Sequence, residues 1–278
     1  MRRVIGGAIY GLSTVLGLVA LLYPFIIRSA WAASQGARAQ DAPLVTATLV
    51  GLSLLALLVE LQGETIGAKT VAMLGVLVAI ASVLRFLETL VPLPGGFSPI
   101  FAPILLAGYV FGARFGFLMG VFTILTSALV TGGVGPWLPY QMLTAGWVGM
   151  SAGWLRALGL PGAREGRLGR VEHALLSAAG FSWGLLFGAI TNLYFWPYAQ
   201  GPVSQTWSAG LSLGETLARF GAFYAATSLP WDMARAVGNV ALLLPLAVPT
   251  VRALTRFRRR FRFQAGPPGA IEGVRADA

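Results

Sequence analysis

The sequence predicts an all-α polytopic membrane helix bundle, and three observations carry that expectation. First, 56% of the 278 residues are hydrophobic and only 11% are charged, against about a quarter charged in soluble globular chains. Second, the apolar stretches are long and continuous. Spanning helices need roughly 20 apolar residues and satisfy their own backbone groups, whereas barrel strands alternate in polarity. Third, the net charge of +10 is concentrated at helix ends and in the C-terminal tail, the pattern of a membrane protein's loops, not of a nucleic-acid surface.

Eight apolar segments can be read, at about 4–27, 43–61, 66–91, 98–112, 114–131, 139–158, 171–195 and 220–252. The first opens after Arg2 and Arg3, and Ala30-Trp31-Ala32 resembles a signal-peptidase site. The apolar run exceeds the roughly 7–15 residues of a signal core, so a retained helix is expected. The fourth segment, PIFAPILLAGYVFG, is short for a full span and predicts a tilted or half-penetrating helix packed against protein. The eighth is too long for one straight span. Pro230 lacks the donor for a helical hydrogen bond, so it marks a kink or a helix start, with 212–229 lying along the outer surface.

With the N-terminus in the cytoplasm, 15 Lys and Arg residues fall on the cytoplasmic side: Arg2, Arg3, Lys69, Arg114, Arg156, Arg164, Arg167, Arg170 and seven arginines from Arg252 to Arg275. Only Arg28, Arg38 and Arg219 fall outside. That bias predicts a multi-pass protein of the inner (cytoplasmic) membrane with both termini cytoplasmic. The loops expected outside, PLPGGFS, GGVGPWLPY and FWPYAQGPVSQTW, are nearly uncharged and rich in aromatics. One Trp there is ordinarily a headgroup anchor; three such loops on one face could cap a ligand pocket.

Within the segments, Gly112, Gly116 and Gly120, then Gly180, Gly184 and Gly188, repeat every fourth residue, and Gly149 and Gly153 do so once. Small residues one turn apart let helix backbones approach closely, which predicts a tight bundle and no particular chemistry. Intramembrane ionisable residues point further, because burying a charge in hydrocarbon is costly. Arg85 and Glu88 are three apart near the outer end of the third segment, and Asp232 and Arg235 three apart near that of the last. Either these are two self-neutralising pairs, or they line a polar outward-opening site to which Asn192, Asn239 and Gln141 add neutral hydrogen-bonding groups.

Signatures of chemistry are missing. The chain has no Cys and one His, His173, so no metal centre and no cofactor are expected. The stretch Gly63 to Thr70 departs from a phosphate-binding loop, with Ala68 between Gly67 and Lys69, and it follows no strand. No nucleophile or carboxylate cluster marks an enzyme.

Three stretches carry a family resemblance: PLPGGFSPIFAPILLAGYVFGARFGFLMG, NLYFWPYAQGP, and TSLPWDMARAVGNVALLLPLAVPTVRAL followed by a basic tail. From about residue 66 onward the chain resembles the substrate-binding S component of an energy-coupling factor (ECF) vitamin transporter. That resemblance implies a six-helix substrate-binding core at 66–255, leaving an N-terminal helical pair in 1–65 and a basic cytoplasmic tail at 256–278. It implies a vitamin or vitamin precursor as ligand, with a lean toward cobalamin. It also implies an ECF transmembrane coupling protein and two cytoplasmic ATPases as partners, with Ala68 and Ala72 matching an Ala-x-x-x-Ala docking spacing. The family binds its ligand through the outer halves of the later core helices and the outer loops. The candidate binding residues are therefore Asp232, Arg235, Asn239, Asn192, Tyr194, Trp196, Trp137, Gln141, Arg85 and Glu88. The alternative reading is an autonomous secondary transporter of a small organic solute. Such folds often carry paired broken helices, and only one candidate is visible.

Overall fold

The computed structural model describes residues 2–26, 44, 47–48, 51–52, 54–55, 68–90, 96–159 and 168–261. Among these, regular structure is entirely helical. In chain order the helices are α1 (Arg2–Ile26), α2 (Ala68–Leu90), α3 (Phe101–Phe111), α4 (Ala113–Thr131), α5 (Leu138–Ala157), α6 (Arg170–Phe195), α7 (Leu213–Thr227) and α8 (Leu229–Phe261). Short 3-10 turns at Trp196–Tyr198 and Val203–Gln205 join α6 to α7. The protein is an all-α membrane helix bundle. Four described helices are long and apolar enough to cross a membrane: Lys69–Leu90, Ala113–Thr131, Arg170–Tyr198 and Leu229–Arg258. Most of the segment expected at 43–61, the Ala30–Ala32 cleavage motif and most of the tail lie outside the described residues.

At the centre stands α3. Its 11 residues rise about 16 Å, roughly half of a hydrocarbon core about 30 Å thick. A helix this short leaves its terminal carbonyls at membrane depth, which is tolerable only inside protein. Accordingly α4, α5 and α8 surround it, and Ile104, Leu105, Ala107 and Val110 are wholly buried. Its C-terminal carbonyls are met by arginines from two neighbours. Arg156 of α5 donates to Tyr109 O at 3.2 Å and to Val110 O. Arg258 of α8 donates to Val110 O at 2.8 Å. Cations at a helix C-terminus satisfy orphan carbonyls and oppose the negative end of the dipole.

The chain reverses from α3 into α4 at Gly112, whose φ of 102° is open to glycine and strained for other residues. Beyond it the small residues act as their spacing predicts. A Cβ on Gly116 would lie 2.2 Å from the Gly149 carbonyl oxygen, and one on Gly120 would lie 2.0 Å from that of Ala145. The backbones of α4 and α5 therefore touch directly.

The stretch read at 220–252 breaks beside Pro230 into two helices, the helix start and not the kink of the two expectations, and the break has a local cause. Ser228 departs from helical geometry (φ −125°) after α7, and α8 starts one residue before Pro230. In the first turn proline's missing N–H costs nothing. A reciprocal capping box starts α7: Ser212 Oγ accepts from Glu215 N while the Glu215 carboxylate accepts from Ser212 N.

The N-terminal helix joins the bundle. Ile9 and Tyr10 of α1 belong to the main core cluster, and the Tyr10 ring meets Phe117 edge-on at 5.4 Å. Trp147 donates to Thr14 Oγ1 at 3.3 Å and Tyr140 to Ala20 O at 3.3 Å. A Cβ on Gly17 would overlap the Leu143 side chain at 1.9 Å.

Candidate functional site

Three groups of residues occupy the arginine-poor end of the bundle and its approaches. The first is a polar seam between α6 and α8. Asp232, Arg235 and Asn239 follow one face of α8, and Gly180, Gly184 and Gly188 form the facing stripe of α6. Asp232 and Asn239 are almost fully buried, 2% and 0% exposed. Asn239 Nδ2 donates to Gly180 O at 2.8 Å. Arg235 ion-pairs with Asp232, approaches Gly184 O at 3.4 Å, and lies over the rings of Phe187 and Phe101 at 5.5 and 5.9 Å. The glycines make this possible: a Cβ at Gly184 would fall 2.3 Å from Ala236 Cα, and one at Gly188 would fall 1.8 Å from Asp232 Oδ2. The Tyr224 hydroxyl sits beside the same carboxylate but donates to Leu185 O at 3.2 Å. That geometry leaves Asp232 Oδ2, like Asn239 Oδ1, buried with no hydrogen-bond partner. Through these contacts the three residues link α8 to α6.

The second group joins α2 to the loop before α3. Arg85 and Glu88 approach to 3.8 Å. Ser98, 2% exposed, donates to Glu88 Oε2 at 2.7 Å and accepts from Arg85 Nη1 at 3.4 Å. The loop is then held on α8 by contact of Gly96 with Trp231 and of Gly238 with the Phe97 ring.

The third group lines a partly open pocket. A pocket of about 240 Å3 lies between the end of α1, the end of α6, the 207–211 loop and α7. Phe25, Leu193, Trp196, Trp207 and Phe220 supply its main apolar walls. Trp196, 1% exposed, anchors it: the indole N–H donates to Gln205 O at 2.9 Å. Its ring meets Phe220 at 5.0 Å and Phe25 at 5.9 Å, while Phe25 also meets Trp207 edge-on at 5.6 Å.

The other expected site residues are dispersed. Asn192 donates to Ser228 Oγ at the α7–α8 junction. Tyr194 stacks on Tyr140 at 5.0 Å between centroids. Trp137, 44% exposed, donates to Gly133 O at 3.2 Å, as an interface anchor does. Gln141 is half-buried on α5. Of the ten expected binding residues, Trp196 alone lines the pocket. Sequence reasoning missed Leu22, Phe25, Leu193 and Phe220. Each reads as an ordinary residue of an apolar helix until the 199–212 connection folds back over it.

A family model described as ECF transporter, substrate-specific component, matches residues 69–247. The chain belongs to this family. Neither the curated proteins nor the solved structures compared with it give a match. As an ECF S component it is the substrate-binding subunit of a transporter and not an enzyme. Its substrate is a small molecule, and its partners are the membrane and the ECF module. The matched region begins with α2 and ends inside α8, so the seam, the Arg85–Glu88–Ser98 cluster and most of the pocket wall lie within it. The α1 helix of this S component lies outside it.

Proposed function

We propose that this S component captures a small vitamin or vitamin precursor from the outer side of the inner membrane and delivers it to an ECF coupling protein with two ATPases. The aromatic pocket carries this reading. It lies at the end of the bundle that the arginine distribution leads us to expect outside, where the partly exposed rings of Phe25, Trp207 and Phe220 offer apolar surface to a ring. A volume of about 240 Å3 lies below the roughly 300–1,000 Å3 of sites for drug-sized ligands. That favours a small one- or two-ring compound over a corrinoid such as cobalamin. In this reading Trp207 and Phe220 touch the substrate, and the buried Trp196 backs the rings of Phe220 and Phe25. Asp232, Arg235 and Asn239 hold α8 against α6, and Asn192 holds the α7–α8 junction.

Docking on the coupling protein is assigned to α2. Ala72, Gly75 and Ala79 are exposed on it, and Ala68 and Ala72 keep the four-residue spacing that permits close helix approach. The decisive experiment is ligand-induced stabilisation of the full chain in nanodiscs across biotin, riboflavin, pyridoxine, nicotinamide and cobalamin. A ligand at a hundredfold excess over its Kd stabilises the fold by about 2.7 kcal/mol. Stabilisation by one small vitamin supports the proposal. Stabilisation by cobalamin alone overturns the size argument. If the folded protein responds to none of them, capture of a vitamin is refuted.

A further inference from the structure

The pocket has a wall that the family match does not include. Residues 69–247 carry the match, yet Leu22 and Phe25, from the last turns of α1, line the cavity. Phe25 closes it by touching both tryptophan rings, Trp196 at 5.9 Å and Trp207 at 5.6 Å. Its position is set by the remainder of α1, which is fastened to α5 along its length. Thr14 accepts from Trp147, Ala20 O accepts from Tyr140, and Gly17 seats against Leu143. A helix anchored at three levels presents its last turn as a rigid wall. The ring it presents joins an aromatic set contributed by the 3-10 turn after α6, the 207–211 loop and α7.

The chemistry of that set is specific. None of its lining residues carries an ionisable side chain. Ser208 and Thr216 supply side-chain hydroxyls and Trp207 an indole N–H; the Trp196 N–H is already donated to Gln205 O, and the remaining lining side chains are apolar. A charged group brought into such a lining would lose water and gain no counter-ion, a large cost. A neutral ring would exchange water for ring faces and edges, and its one or two polar groups could reach the hydroxyls.

We propose that α1 is a specificity element of the substrate site: Phe25 contacts the substrate, and the pocket selects uncharged, flat, ring-bearing solutes over their ionised counterparts. This deepens the preceding reading and rests on it.

The test uses the full chain in nanodiscs and two matched pairs of probes, nicotinamide against nicotinate and pyridoxine against pyridoxal 5′-phosphate, with binding read by calorimetry and thermal shift. The expected result is binding of the neutral member of a pair and its loss in the ionised one. Phe25→Ala is then expected to weaken that binding about tenfold or more. Phe25→Leu should weaken it less, and Leu12→Ala, on the exposed face of the same helix, should leave it unchanged. Should Phe25→Ala fail to fold, Phe25→Leu and Phe25→Tyr keep the wall in place and still must alter the ranking of the probes. Wild-type affinity in the Phe25 variants would overturn the role of α1 while leaving the S-component reading intact. Preference for the ionised probes would overturn the substrate class. If no probe binds the folded wild type, both this proposal and vitamin capture through the pocket fail. A co-purifying lipid acyl chain in the cavity, displaced by no probe, would do the same.

Discussion

The Asp232–Arg235 pair offers the sharpest test of how the bundle is held together. Asp232→Asn preserves shape and removes one charge; Arg235→Met preserves the aliphatic stem and removes the other. Breaking a buried pair from one side costs about 3–5 kcal/mol, because the surviving charge is left uncompensated. The two sides are unequal here. In Asp232→Asn the arginine keeps the Gly184 carbonyl and two ring faces. Its side chain is also 17% exposed, so partial hydration and cation–π contacts reduce the loss to about 2–3 kcal/mol. In Arg235→Met the Asp232 carboxylate, 3% exposed, has no replacement cation, and the loss should sit at the upper end, about 4–5 kcal/mol. The double variant buries no charge and is expected to be more stable than Arg235→Met alone, a coupling far from additive. Denaturation by SDS in mixed micelles, followed by circular dichroism, gives the four stabilities of the cycle. Additive losses, or an Arg235→Met variant as stable as wild type, would refute the account of the seam.

The C-terminal end of α3 predicts a second effect. Arg156→Ala and Arg258→Ala each remove a donor from carbonyls buried at membrane depth, and each should cost about 1–3 kcal/mol. Their shared acceptor, Val110 O, is still met by the other arginine in either single variant and by neither in the double one, so the double loss should exceed the sum of the single losses when thermal unfolding in nanodiscs is compared; equal stability of all variants would exclude the capping role. The start of α7 predicts a pH effect. The hydrogen bond from the Ser212 hydroxyl, then that from the Ser212 backbone N–H, holds the Glu215 carboxyl below its usual range. A depressed folded-state value means the cap contributes stability above the unfolded-state value and loses it as pH falls through the folded one. Corrected for the intrinsic exchange rate, the protection of amides over 213–219 should therefore fall in acid, below the ordinary glutamate range, and Glu215→Gln should abolish that dependence. Protection that does not change with pH in wild type would contradict it.

Much of this protein is written in one-dimensional pattern. Long apolar runs and scarce charge specify a membrane helix bundle, because each spanning helix satisfies its own backbone and needs no distant partner. Segment bounds at 66–91, 114–131 and 171–195 fall within a few residues of α2, α4 and α6. The four-residue glycine spacing announces close backbone contact, and the i,i+3 placement of Asp232 and Arg235 announces their pairing, since both are properties of one helix surface.

What spacing does not encode is which helix a surface meets. Ala236 against Gly184, Asn239 on the Gly180 carbonyl, and Arg156 with Arg258 on the end of α3 join residues separated by dozens to more than a hundred positions. The polar groups of α8 look from sequence like the lining of an open site; in three dimensions the glycine stripe of α6 brings a backbone into contact with them. A pocket lies where the 199–212 connection and α7 fold over the ends of α6 and α1. Its walls are apolar aromatics indistinguishable in sequence from lipid-facing ones. Hydrophobicity determines that these residues leave water, whereas only the packing of helices determines whether they meet lipid, protein or a cavity.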